Sequence, residues 1–108
     1  MKIYLACPYS HPDPAVRQQR FEAANEATAL LLKEGHVVYS PISMSHPIAV
    51  QCDLGLDFEV WRRQDKAFID WCDVFYVLPI DGWEKSVGIE VELKIAKRKK
   101  KLIIMGMP

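Results

Sequence analysis

Charge of one sign, long apolar runs and paired cysteines are all scarce in this 108-residue chain, and each scarcity excludes something. Fourteen basic side chains balance fourteen acidic ones, so there is no general attraction to nucleic acid or to an anionic membrane. No apolar run approaches the ~20 residues that span a bilayer, and no secretory leader is expected ahead of the first element. The three cysteines, Cys7, Cys52 and Cys72, are odd in number and widely spaced, and they fit no disulfide framework. A reducing, cytoplasmic location is therefore expected, with the cysteines serving as small hydrophobes. His11, His36 and His46 are scattered without metal-ligand spacing, so no metal site is expected.

Half of the residues are hydrophobic and 26% are charged, a globular rather than a disordered composition. The length suits one domain, residues 1–108, with a single core. No repeat or low-complexity stretch interrupts it.

Along the chain, residues 2–7 (KIYLAC) read as a first strand. The three prolines within residues 8–14 mark a loop. From Ala15 to about Glu34, Val16, Phe21, Ala23, Ala24, Ala27, Leu30 and Leu31 cluster at helical spacing, and Gly35 closes the segment as a C-terminal cap. Residues 36–40 form a second strand, and residues 41–55 a mixed segment holding at most one helical turn. Leu56 to Trp71 reads as a helix, residues 73–78 as a strand, "PIDGWEK" as a loop and residues 101–105 as the last strand. Strands alternating with helices predict an α/β sandwich with a mostly parallel sheet of four to five strands.

Residues 86–100 (SVGIEVELKIAKRKK) admit two readings. Val87, Ile89, Val91, Leu93 and Ile95 alternate with small and polar residues, the period of a half-buried strand. Parallel neighbours need a crossover, however, and this segment lies between two apolar strands, so the helix is favoured. On a helix Glu90 has Lys94 at i+4 and belongs to a solvated face. Glu92 instead has Gly88, Ile89, Ile95 and Ala96 at its helical neighbours, which places it on or beside the packed stripe. The run Lys97 to Lys101 is read as a helix C-terminus, where cations complement the macrodipole.

The same anomaly recurs at Asp65, flanked by Trp61, Phe68 and Ile69 with only Arg62 at i−3 polar, whereas Asp70 has Lys66 at i−4 and reads as solvated. A carboxylate on an apolar stripe is costly unless it is paired or used, or unless it lies at the boundary of the stripe with its head in water. Two of them on elements flanking one strand suggest a shared site, since paired carboxylates are the equipment of glycosidic-bond chemistry.

Tyr4 in the first strand, Asp65 eight positions before Asp73, and Ser-Val-Gly-Ile-Glu-Val-Glu-Leu-Lys-Ile-Ala at 86–96 carry a resemblance. The chain resembles the nucleoside 2-deoxyribosyltransferase superfamily, including its 2′-deoxynucleoside 5′-monophosphate N-glycosidases. "YLACPYSHPD" and "SMSHPI" are similar to a small branch of it known mainly as a domain of unknown function. The resemblance implies a Rossmann-like three-layer sandwich. It implies Glu92 as the nucleophile at C1′ of the sugar, Tyr4 as the group that orients it and Asp65 as the group that serves the departing base. It also implies that Ser86 contacts a 5′-phosphate. Gly88 beside it would allow close approach to the backbone, and an anion suits the free N–H groups of a helix start. Tyr9 and Trp83, in loops at the same edge, are candidates to stack on a base or simply to cover the core. The chain departs from the superfamily at Cys7-Pro8-Tyr9-Ser10, where members often show Gly-Ser, and at Lys94, where a small residue is usual.

These residues together imply cleavage of the N-glycosidic bond of a nucleoside or nucleotide, hydrolysis being favoured over base exchange, with no cofactor. The expected partners are a small-molecule nucleoside or nucleotide and a second copy of the chain, because the resemblance implies a pocket completed by a neighbouring subunit; "PISMSHPIAV" is a candidate contact or else an ordinary lid or core turn. The alternative is a nucleotide-binding sensor that uses the same cleft without catalysis.

Overall fold

The computed structural model describes residues 1–54 and 58–108. In chain order it contains β1 (Lys2–Ala6), α1 (Pro14–Lys33), β2 (Val37–Tyr39), α2 (Pro41–Cys52), α3 (Phe58–Trp71), β3 (Val74–Val77), a 3-10 turn (Trp83–Lys85), α4 (Val87–Arg98) and β4 (Leu102–Met105). The expected elements are present with ends shifted by a residue or two. Gly55 and the expected helix start at Leu56 lie outside the described residues.

Among the described residues the four strands form one all-parallel sheet in the order β2-β1-β3-β4, within a Rossmann-like sandwich. The period-two alternation of strand side chains sorts the core into two layers. Ile3, Leu5 and Cys7 point to one face and pack with Ala24, Ala27 and Leu31 of α1 and Ile42 of α2. Tyr4 and Ala6 point to the other, with Ile69 of α3 and Ile89, Ile95 and Ala96 of α4. Each large apolar side chain fully removed from water contributes about 1.5–3 kcal/mol.

Two details of α1 show how local chemistry sets its limits. Asp13 caps the start by accepting from Ala15 N–H at 2.9 Å, with Pro14 as the first helical residue. At the other end Gly35 has φ +92°; its N–H donates to Leu32 C=O, and His36 N–H donates to Leu31 C=O. That is the 5→2, 6→1 pairing of a left-handed helix stop, as the sequence predicts. Leu30 does not join the core and is 45% exposed, because its neighbour Leu31 already takes the inward position.

The segment 41–52 corrects an expectation. It is a full helix rather than one turn. Pro41 occupies the first turn, where its missing N–H costs nothing, and Ile42 and His46, four residues apart, bury one face. Pro47 sits within the helix on its exposed side and removes one backbone bond without ending it. α2 ends at Cys52, with Asp53 in the left-handed region at φ 52°.

The topology positions the site. The chain leaves β1 towards β2 on one side, and β3 joins β1 on the other, so the loops after β1 and β3 diverge. A crevice opens at such a switch point, beyond the carboxyl ends of the strands.

Candidate active site

A cavity of about 660 Å³ occupies that crevice. Its walls come from the loop after β1 (Cys7, Tyr9, Ser10, His11), from the segment between β3 and α4 (Asp81 to Ser86, without Trp83), and from α2 and α3. Glu92, Gly88 and Ser86 of α4 and Asp65 of α3 all line it.

At its floor, the Tyr4 hydroxyl donates to Glu92 Oε2. Tyr4 is wholly buried and sits in an aromatic row across the sheet. Its ring stacks on Phe75 at 5.4 Å and lies tilted against Tyr39 at 5.8 Å, its register partners on either side. Tyr39 in turn stacks on Phe68 of α3 at 3.8 Å and accepts from Gln64 Nε2 at 2.8 Å. The phenol that holds Glu92 is thus fixed by packing on both sides.

The electrostatics follow from burial. Removal from water raises Glu92 from 4.5 to about 8; the Tyr4 hydrogen bond opposes that rise, and the negative charge of Asp65 adds to it. Burial raises Asp65 from 3.8 to about 7. Two carboxyl groups therefore titrate close to neutrality as a coupled pair. Burial, then the charges of Glu92 and Asp65, push the Tyr4 hydroxyl well above its usual range, so it stays a donor.

Ser86 caps α4, its Oγ accepting from Ile89 N–H at 3.2 Å. At Gly88 an added Cβ would stand 3.8 Å from both Glu92 Oε1 and Ser86 Oγ. Gly88 thus leaves open the space between the nucleophile candidate and the helix start. Tyr9 lines the cavity with its hydroxyl 2.5 Å from His46 Nδ1. Trp83 is not among the residues that line the cavity and packs, half-buried, against the core layer that contains Tyr4.

Glu90 pairs with Lys94 at 3.4 Å on an open face, as expected. Asp70 is exposed as expected, but its cation is Lys99 of the α4 end at 2.7 Å rather than Lys66. Among the described residues no group of three or more His, Cys, Asp or Glu side chains could hold a metal ion. No helix among them is long and apolar enough to cross a membrane.

Sequence reasoning missed Arg20, Lys85 and Trp61, all of which line the cavity. Arg20 donates to Ser10 C=O at 3.0 Å and to Asp81 C=O at 3.3 Å, tying together the two loops of the crevice. Gly82, at φ +91°, makes room for it; a Cβ there would press on the guanidinium. In the sequence Arg20 looks like one more polar residue on a helix face, and no local signal distinguishes it.

The chain shares its fold with solved structures of known enzymes. One is a 2-deoxyribosyltransferase from Bacillus psychrosaccharolyticus, 23% identical, matched over 97% of this chain and 71% of that one at a TM-score of 0.69. Another is the CMP N-glycosidase BcmB of Clostridium botulinum, 18% identical, over 97% and 70% of the two chains at a TM-score of 0.64. No curated protein matches the sequence. A family model described as "Domain of unknown function (DUF1937)" matches residues 1–107. The chain belongs to that family.

Proposed function

We propose that this protein cleaves the N-glycosidic bond of a nucleoside or a (deoxy)nucleoside 5′-monophosphate, with Glu92 as nucleophile and water as the favoured acceptor. The observation that carries this reading is the Tyr4–Glu92 hydrogen bond at the floor of a cavity that also contains Asp65. The fold shared with a deoxyribosyltransferase and an N-glycosidase supports the same class of chemistry.

In this mechanism a carboxylate oxygen of Glu92 forms a bond to C1′ as the C1′–N bond breaks. The bonding pair leaves with the base nitrogen, and the Asp65 carboxyl supplies the proton. A carboxyl that titrates near 7 is matched to that task. Near neutrality Glu92, at about 8, holds a proton more tightly than Asp65, at about 7; the Tyr4 hydroxyl and the positive charge developing at C1′ favour the arrangement with Glu92 ionised and the proton on Asp65. Water then attacks C1′ of the glycosyl ester, Asp65 takes its proton, and Glu92 is released.

Ser86 and Gly88 at the start of α4, with Arg20 and Lys85 in the same cavity, support a phosphate-bearing substrate. The hydrogen bonds from Arg20 to Ser10 and Asp81 go to carbonyl oxygens, so they leave its positive charge unneutralised. Water is favoured over a second base on the same ground. This reading includes a homo-oligomer that completes the open cavity, supported by the exposed Met44, Val50 and Val60 on α2 and α3. It also includes a reducing cytoplasmic setting, supported by the free Cys7, Cys52 and Cys72.

The test is incubation with a panel of ribo- and deoxyribonucleosides and their 5′-monophosphates, with free base followed by chromatography in the presence and absence of a second base. Base released in water alone supports hydrolysis. Release that needs the second base assigns a transferase, and no release from any substrate refutes the proposal.

A further inference from the structure

Tyr9 reaches the cavity at the end of a chain of hydrogen bonds that begins on the outer face of α1. Gln18 Nε2 donates to Glu22 Oε1 at 3.2 Å. Gln18 Oε1 lies 3.0 Å from His46 Nε2, and His46 Nδ1 lies 2.5 Å from the Tyr9 hydroxyl. His46 is buried, 8% exposed, with its ring stacked on Phe21 at 4.5 Å, so these partners are the ones its two nitrogens have.

Donor and acceptor chemistry fixes the polarity of every link. A carboxylate only accepts, so Glu22 turns the amide N–H of Gln18 towards itself and the carbonyl oxygen towards His46. A carbonyl oxygen only accepts, so His46 Nε2 carries the hydrogen. Burial, and after it the positive charge of Arg17, lower the His46 pKa and favour the neutral ring. A neutral imidazole has one N–H, which leaves Nδ1 as a bare lone pair. The Tyr9 O–H must therefore donate to it. Its only proton is then committed, and the phenol oxygen offers lone pairs alone.

We propose that Tyr9 is an acceptor-only group in the cavity wall, set by the Glu22–Gln18–His46 chain, and that it selects ligands presenting an N–H or O–H there. This rests on the reading of the cavity as a nucleoside or nucleotide site. The donor is either an exocyclic amine of the base or a hydroxyl of the sugar. A ligand that places a carbonyl or ether oxygen there meets lone pair against lone pair.

Two measurements test it, and neither needs turnover. The first is the nitrogen-15 NMR spectrum of His46 in the ligand-free protein at pH 7, assigned by its loss in His46→Gln. A protonated Nε2 with a bare Nδ1 is expected; the opposite tautomer or a doubly protonated ring overturns the proposal.

The second is calorimetric binding of matched ligands. Cytidine against uridine 5′-monophosphate and adenosine against inosine 5′-monophosphate test the base. Ribo-, 2′-deoxy- and 2′,3′-dideoxyribonucleotides of one base test the sugar. In one of the two arms the donor-bearing ligand should bind about tenfold to a hundredfold more tightly, and Tyr9→Phe should bring the pair near parity. Equal binding in both arms, a preference for the oxygen-bearing ligand, a preference that survives Tyr9→Phe, or no binding across the panel overturns it. Donor-selective binding without base release would refute the glycosidic mechanism and leave the Tyr9 assignment standing.

Discussion

The Tyr4 hydroxyl donates to the Glu92 carboxylate across 88 positions of sequence, joining the central strand β1 to the crossover helix α4. The sheet fixes the phenol and the helix aims the carboxylate, so the bond exists only once both layers have packed. Folding thereby assembles the site.

Removing that hydroxyl should cost Glu92 the one hydrogen bond that opposes its upward shift. A hydrogen bond to a charged group contributes about 1.5–3 kcal/mol, or roughly one to two pH units. In Tyr4→Phe the acidic limb of kcat/KM should move to higher pH by that amount, with activity at pH 7 falling by about tenfold to a hundredfold. An unmoved limb in a folded variant would show that Tyr4 does not tune Glu92.

The buried carboxyls also link stability to pH. Both have folded pKa values above their ordinary ones, 4.5 to about 8 for Glu92 and 3.8 to about 7 for Asp65. The folded state then holds more protons than the unfolded chain between those limits. This contribution is complete below about pH 4 and is lost as pH rises through 7 to 8. Allowing for solvent access and for coupling within the pair, on the order of 1–3 kcal/mol is involved. Glu92→Gln should melt several degrees above wild type at pH 8.5, a gap that narrows towards pH 5. A gap that widens on acidification would reverse the sign.

Gly88 separates stability from function. Alanine is favoured over glycine within a helix by about 1 kcal/mol, and the added Cβ would meet its neighbours at 3.8 Å without a clash. Gly88→Ala should therefore melt slightly higher than wild type. It also fills space beside Glu92 Oε1, so KM should rise. A variant with unchanged KM would place the substrate elsewhere in the cavity.

Glu92 and Asp65 were legible in the sequence because the signal was local: each has apolar neighbours within one helical turn. The parallel sheet followed from alternation and the need for crossovers. What was illegible depends on distant partners. Arg20 matters because Ser10 and Asp81 converge on it, the latter 61 positions away. His46 shows in the sequence only as a scattered histidine, and its link to Tyr9 forms only when α2 lies against the loop after β1. The α2 helix itself was hidden by Pro47, which reads as a breaker but sits on the outer face. Trp83 shares a segment with cavity residues, yet it packs half-buried against the core.

In the proposed mechanism Glu92, and not its neighbour Glu90, attacks the sugar. The direct measurement is release of free base by wild type, Glu92→Ala and Glu90→Ala side by side, on the substrate the panel identifies. Loss of turnover by at least a thousandfold at Glu92 is expected, with Glu90→Ala within about twofold of wild type, because Glu90 forms only an exposed pair with Lys94. Equal loss in both variants, or full activity without Glu92, would rule out Glu92 as the nucleophile.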